Sequence, residues 1–295
     1  MADPIRVLVR RGPTVEAVHR VHAVAVQDGA VVAERGDGGL VSLFRSCAKP
    51  LQAMPLARAR DDLDARDLAI ASASHRGLEP HLEAVRALLA KAPATEDDLE
   101  CGEEGTPPSK LRHNCSGKHA GMLALCTARD WSREGYRLAG HPVQEGCRAE
   151  VAAAAEVRPD ELPTAVDGCG VVTFALPLER MAHAFSRLER LDAGGRVAAA
   201  MRAHPQLVRG PGAPDTRLME LAPGWTAKGG AEGLLCAASA AGVGVALKVE
   251  DGAGRAVGPA LAAFLSGLGV EVPELAIAPV SNSRGELVGE IVTKA

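Results

Sequence analysis

Aromatic side chains are nearly missing from this chain: its 295 residues include only four phenylalanines, two tryptophans and one tyrosine. Few rings are available for nucleobases to stack on, and 33 basic against 37 acidic residues, a net charge of -4, provide no basic face for a phosphate backbone. Nucleic acid is not an expected partner. Long apolar runs are lacking too. The most apolar stretch, Leu234 to Leu247, is about 14 residues long and is interrupted by Ser239, Gly242 and Gly244, whereas a bilayer span needs about 20. No membrane association is expected. The segment Met1 to Arg11 is broken by Arg6, Arg10 and Arg11 and lacks the apolar core and cleavage site of an export signal. The expected location is therefore the cytoplasm. Cysteine number is odd: Cys47, Cys101, Cys115, Cys126, Cys147, Cys169 and Cys236 make a disulfide framework improbable and point to mostly buried, reduced thiols.

With 47% hydrophobic and 24% charged residues the chain has the composition of an ordinary globular protein, so its core must be built from Ala, Val and Leu. Its length suffices for a large core, and no linker or repeat divides it, so one domain over residues 1–295 is expected. Asp28-Gly29 supplies the two positive-φ positions of a tight turn and predicts a hairpin over Val15 to Glu34. A third apolar run, Gly39 to Phe44, leads into Ser46 to Met54, where the period lengthens and Pro50 can occupy a first helical turn. Helical spacing predicts helices over Asp64–Ser72, Glu79–Lys91, Ser116–Ala128, Val143–Val157 and Leu178–Leu191. Trp225 to Val249 reads as a strand meander, Ala256 to Leu268 as a helix, and the last segment as a hairpin around Ser283-Arg284-Gly285. Strand-rich ends around a helical middle predict an α+β fold, a sheet made from both termini with a helical lobe inserted between them.

Four clusters could carry chemistry. Ser46-x-x-Lys49 at a helix start puts a hydroxyl and an ammonium on one face beside free backbone donors, which suits a lysine-activated serine, or simply a capping serine beside a solvated lysine. Ser72-Ala73-Ser74-His75-Arg76-Gly77 lies between two helices and reads either as catalytic or as a pair of caps. Arg112 to His119 gathers His113, Cys115, Lys118 and His119 at a loop-to-helix junction, and Cys169 sits in Asp167-Gly168-Cys169-Gly170. Two thiols from separate loops could hold zinc or could be packing groups, since no Cys-x-x-Cys pair is present. Lys228-Gly229-Gly230-Ala231-Glu232-Gly233 allows close backbone approach but lacks the Walker spacing for a nucleotide phosphate.

Taken in order, Phe44 to Gln52, Ala73 to Gly77, His113 to Met122, Asp167 to Gly170, Asp215 to Met219 and Lys228 to Gly233 resemble the asparaginase II family of bacterial L-asparaginases, first described from rhizobia. Members of that family are similar in fold to serine β-lactamases and glutaminases. The resemblance implies two Ser-Lys pairs, Ser46 with Lys49 and Ser74 with Lys228, Lys248 being the other candidate for the second lysine. It implies zinc held by Cys115, Lys118 and Cys169. It further implies hydrolysis of L-asparagine to aspartate and ammonia, with Ser46 as nucleophile, Lys49 as its base, Ser74 as a relay and Lys228 keeping the pocket positive. Backbone N–H groups of Ser46 and Ala231 would hold the oxyanion, while Arg45 and Asp167 would bind the substrate's amino-acid end. A homodimer is the expected assembly. The competing readings are a zinc-stabilised small-molecule-binding protein and a β-lactam- or glutamine-directed serine hydrolase of the same fold.

Overall fold

The computed structural model describes residues 2–294. Strands β1 (Ile5–Arg11), β2 (Thr14–Gln27), β3 (Ala30–Arg35) and β4 (Val41–Leu43) open the chain. Helices α1 (Lys49–Gln52), α2 (Met54–Ala59), α3 (Ala65–Ala71), α4 (Glu79–Lys91), α5 (Ser116–Arg129) and α6 (Pro142–Ala155) follow. After β5 (Thr164–Val166) and β6 (Val172–Pro177) come α7 (Leu178–Ser186), α8 (Gly194–Ala203), α9 (Pro205–Val208) and α10 (Pro214–Leu221). The chain closes with β7 (Trp225–Gly229), β8 (Leu234–Ser239), β9 (Val243–Val249), α11 (Val257–Ser266), α12 (Pro273–Ala276), β10 (Ile277–Ser281) and β11 (Leu287–Thr293).

The main sheet is antiparallel in the order β10-β11-β1-β2-β9-β8-β7, with β3 paired to the far half of β2. It draws on both chain ends, and the intervening helices form the lobe, as the strand-rich termini predict. The hairpin at Asp28-Gly29 has both residues at positive φ, +49° and +82°. Asp64 caps α3 by accepting from the N–H groups of Arg66 and Asp67, which explains why that helix starts where its sequence pattern does. No described helix is long and apolar enough to cross a membrane.

Several elements escaped sequence reasoning, among them the helices α8 and α10, the first strand and a second sheet. Ile5–Arg11 is a full strand, not merely an apolar patch: Val7 and Val9 are buried while Arg6 and Arg10 turn to the other face, a period of two that the arginines obscure. A second sheet, β4-β6-β5, arises from segments too short to show a period, and its β5–β6 turn carries Asp167 to Gly170.

In β9, residues 244–247 are buried one after another, so both faces of the strand are covered. Helix α7 lies across β9 and β2, and α11 also packs on these strands. One contiguous core of small aliphatic side chains runs from the sheet into the lobe. The close approach of α7 depends on Gly244, because a Cβ there would meet the backbone of Ala182 and Ser186. Gly244→Ala should therefore destabilise the protein by at least about 2 kcal/mol. Its urea-unfolding midpoint checks this, and a midpoint equal to that of the parent would show that the helix can move away without cost.

Candidate active site

The segment Phe44 to Gln52 joins the small sheet to the helical lobe. Arg45 takes a left-handed backbone, φ +49°, where only glycine is unstrained, and its N–H donates to Thr173 Oγ1 at 3.1 Å. A 3-10 turn over Arg45–Ala48 follows and passes directly into α1. Ser46 lies in the first turn of this segment, half-buried, and Lys49 one turn on is 1% exposed. The N–H of Ser46 is an orphan of the helix start, and the N–H of Ala231 in the β7–β8 loop is likewise unpaired among the described residues. Arg45 and Ala231 line the same cleft, of about 320 Å³, together with Ser42, Glu232 and Lys248.

The lysines converge on one serine. Lys49 Nζ donates to Ser74 Oγ at 2.9 Å and to the Ala73 carbonyl, and Lys228 Nζ reaches the same Ser74 Oγ at 2.9 Å and the Gly229 carbonyl at 2.7 Å. The pairing of Ser74 with Lys228 is present, but Lys49 bonds Ser74 and not Ser46, whose hydroxyl has no partner among the described residues. The cause is how the loop from Ser72 to Gly77 is tied down: the Ser74 N–H donates to the Val208 carbonyl at 2.8 Å and the His75 N–H to the Asn114 carbonyl at 3.0 Å. That loop holds Ser74 over the end of Lys49. Lys248 lies elsewhere, on β9 at the rim of the cleft, and donates to the Val249 carbonyl.

Burial holds the Lys49 amine below its ordinary value, with nearby Cys115 opposing and Lys118 adding to the depression. Burial also pushes Lys228 down to about 7, Asp215 opposing and Lys49 reinforcing the shift. At neutral pH a fraction of the Lys228 amine is therefore unprotonated.

The third cluster packs against Lys49. Cys115 stands at the residue before α5 without a side-chain capping bond, Lys118 sits in the first turn of that helix, and Cys169 comes from the β5–β6 turn. Gly117 makes this possible, because a Cβ there would collide with the Ile70 carbonyl of α3. Lys118 Nζ is 3.0 Å from Cys169 Sγ, and Lys49 Nζ is 3.2 Å from Cys115 Sγ. A hydrogen bond from Cys169, aided by both lysines, draws Cys115 toward the thiolate, whereas that bond and burial push the Cys169 thiol up. Burial works against the charge of Lys118, but the two sulfurs outweigh it and raise its value. Two sulfurs and one nitrogen thus meet in a buried pocket, a donor set that suits zinc and leaves a fourth position open. No group of three His, Cys, Asp or Glu able to hold a metal occurs among the described residues, so such a site depends on the lysine.

Arg45 Nε donates to Asp167 Oδ1 at 2.7 Å, so the two expected substrate-binding residues form one ion pair at the cleft. A larger hollow of about 510 Å³ near Arg6, Phe264 and Lys294 contains none of these groups. Sequence reasoning gave no role to Asp215, although it lies in a stretch already singled out. Its Oδ2 is 3.9 Å from Lys228 Nζ. A buried acid next to a buried lysine in space leaves no spacing signal in the chain.

The arrangement defines an α+β protein whose buried amines, thiols and serine are gathered where the helical lobe meets the sheet. The family model of L-asparaginase II matches residues 7–293, and the chain belongs to that family, which makes it an amidohydrolase for asparagine-like substrates. Among solved structures, the chain is similar to one from Bacteroides dorei DSM 17855 named as a β-lactamase, at 12% identity, covering 78% of this chain and 86% of that one with a TM-score of 0.42. A β-lactamase from Desulfarculus baarsii DSM 2075 is 18% identical, with 78% and 82% covered and a TM-score of 0.36. No curated protein matches the sequence.

His75 stiffens the loop that presents Ser74. Its Nδ1 accepts the Gly77 N–H at 3.1 Å, so Nε2 carries the proton and donates to Ser116 Oγ at 2.9 Å. Burial, with His81 next, lowers its value from 6.5 to about 3. The unfolded chain takes up this proton near its ordinary value and the folded one does not. The stability supplied by the neutral ring is therefore complete above 6.5 and is lost as pH falls toward about 3. Unfolding free energy should drop by a few kcal/mol between about pH 7 and about pH 4, and less so in His75→Gln. Equal drops in parent and variant would remove His75 from the acid response.

Proposed function

We propose that the chain hydrolyses the side-chain amide of L-asparagine through an acyl-enzyme on Ser46. The observation that carries this reading is the pair of buried lysines sharing Ser74, one of them a single turn from a half-buried serine with an unpaired backbone N–H. Ser46 Oγ attacks the amide carbon and Lys49 accepts its proton. The C–N bond then breaks, and the proton returns to the nitrogen by way of Ser74, releasing ammonia. Water hydrolyses the aspartyl ester by the same route and frees Ser46. The N–H groups of Ser46 and Ala231 face the developing oxyanion, a contribution of about 3 kcal/mol in comparable sites. The Arg45–Asp167 pair offers a cation and an anion to the substrate's carboxylate and ammonium.

Cys115, Lys118 and Cys169 would hold zinc in this reading. Bound there, the ion supplies a positive charge that orients the amino-acid end of the substrate. Lys118 must give up its proton to bind, so zinc affinity rises with pH. All seven cysteines are free and buried, which supports a reducing, cytoplasmic setting.

A second reading makes Ser74 the nucleophile, because both lysines touch its hydroxyl. Burial favours Ser46, which is half-buried, whereas Ser74 is only 8% exposed. Ser46→Ala should lower kcat for ammonia release by at least about 1,000-fold while the fold persists. Mass spectrometry of enzyme quenched during turnover should find the aspartyl adduct on the peptide containing Ser46. An adduct on the Ser74 peptide would transfer the nucleophilic role, and tight asparagine binding without ammonia release would leave a binding protein.

Purified protein should contain zinc by metal analysis, and Cys169→Ala should lose it. That variant should raise KM several-fold more than it lowers kcat. Protein without zinc, together with a kinetically silent Cys169→Ala, would make these thiols packing groups.

A further inference from the structure

Asp215 stands in the first turn of α10 and is 1% exposed. A buried carboxylate is costly unless its oxygens are paired, and these are. Oδ2 accepts the Gly229 N–H at 2.8 Å and Oδ1 accepts the Thr216 N–H at 3.2 Å. Thr216 in turn donates through Oγ1 to the Pro205 carbonyl at 3.2 Å and accepts the Gly210 N–H at 3.4 Å. The start of α10 is thereby locked to the segment after α8, and the carboxylate is fixed in place. A Cβ on Gly229 would lie 3.1 Å from Asp215 Oδ2 and 3.0 Å from Arg209 Nη1. A carboxylate oxygen and a guanidinium nitrogen therefore each approach the one residue of the strand that has no side chain, next in sequence to Lys228, without forming an ion pair with one another.

The inference rests on the proposed mechanism, in which Ser74 carries the proton: its hydroxyl is bonded to Lys228 as well as to Lys49, so the charge of Lys228 bears on that transfer. We propose that Asp215, set against Arg209, is a positioning residue: it clamps the strand that aims Lys228 at Ser74 and supplies the negative charge that balances the cations around that amine. Those cations and their neighbours come from every element packed on Lys228. Lys49 faces it from α1, Asp215 from α10 and Arg209 from the segment after α9. The Cys47 thiol donates to the Lys228 carbonyl at 2.9 Å, and Cys236 is the cross-strand partner of Lys228 on β8. Asp215 is the group that holds the amine's proton, and Lys49 and Arg209 both work to expel it.

The test is kcat/KM for L-asparagine against pH in the parent, Asp215→Asn and Arg209→Met. Asparagine at 215 retains an acceptor for the Gly229 N–H while removing the charge. The parent should show a rising limb near pH 7. Asp215→Asn should move that limb down by about one pH unit, and Arg209→Met should move it up. A limb that stays in place in both variants, whatever the loss of rate, would reduce Asp215 to a structural clamp and overturn the proposal. If Asp215→Asn does not fold, Arg209→Met decides alone, since a limb unmoved or moved down means the charges over Gly229 do not govern the lysine. A parent profile that is flat from about pH 6 to about pH 10 would instead sink the lysine relay itself.

Discussion

The amines of Lys49, Lys118 and Lys228 are removed from water almost completely, at 1%, 4% and 0% exposure, and much of the surrounding structure offsets that cost. An isolated buried ammonium is unstable enough to shed its proton, so each lysine has been given a different answer. Lys118 keeps its charge because two sulfurs face it. Lys228 is held between Asp215 on one side and Lys49 on the other, and its balance falls near neutrality. Lys49 shares Ser74 with Lys228 and Cys115 with the thiol cluster, and so couples the two halves of the site.

Backbone approach makes this density possible. Gly117 lets the turn carrying Cys115 and Lys118 press on the end of α3, and Gly230 lets β7 come up against the Cys47 thiol, where a Cβ would lie 3.1 Å from Sγ. The strained backbone of Arg45 opens a turn that leaves Ser46 partly exposed and seals Lys49, three residues later, in the core. In the proposed mechanism a single turn would thus provide both a partly exposed nucleophile and a base shielded from water.

Periodicity carried most of the fold. Glu79–Lys91 is a helix over the predicted bounds, and Asp28-Gly29 is the predicted turn, because both signals are local. The strand Ile5–Arg11 was hidden because its arginines obscure the alternation, and the small sheet β4-β6-β5 because two of its strands are only three residues long. The site shows the same division. Ser46 and Lys49 are legible as a one-turn spacing, and the remaining members through their joint order along the chain. The bond from Lys49 to Ser74 and the seat of Asp215 were not legible, because each depends on how a loop is pinned by groups on other elements.

That unforeseen bond changes the logic of the cluster. A hydroxyl has one proton to donate and two lone pairs to accept with. With both lysines protonated, Ser74 accepts from each, and its own proton points at neither. Once Lys228 is neutral, the Ser74 hydroxyl can donate to it while still accepting from Lys49. A connected path then runs from Lys49 through Ser74 to Lys228 with no heavy atom displaced. The charge state of Lys228 thus decides the direction in which Ser74 points. This is why the balance between Asp215, Arg209 and Lys49 around one buried amine reaches a serine that none of the first two touches.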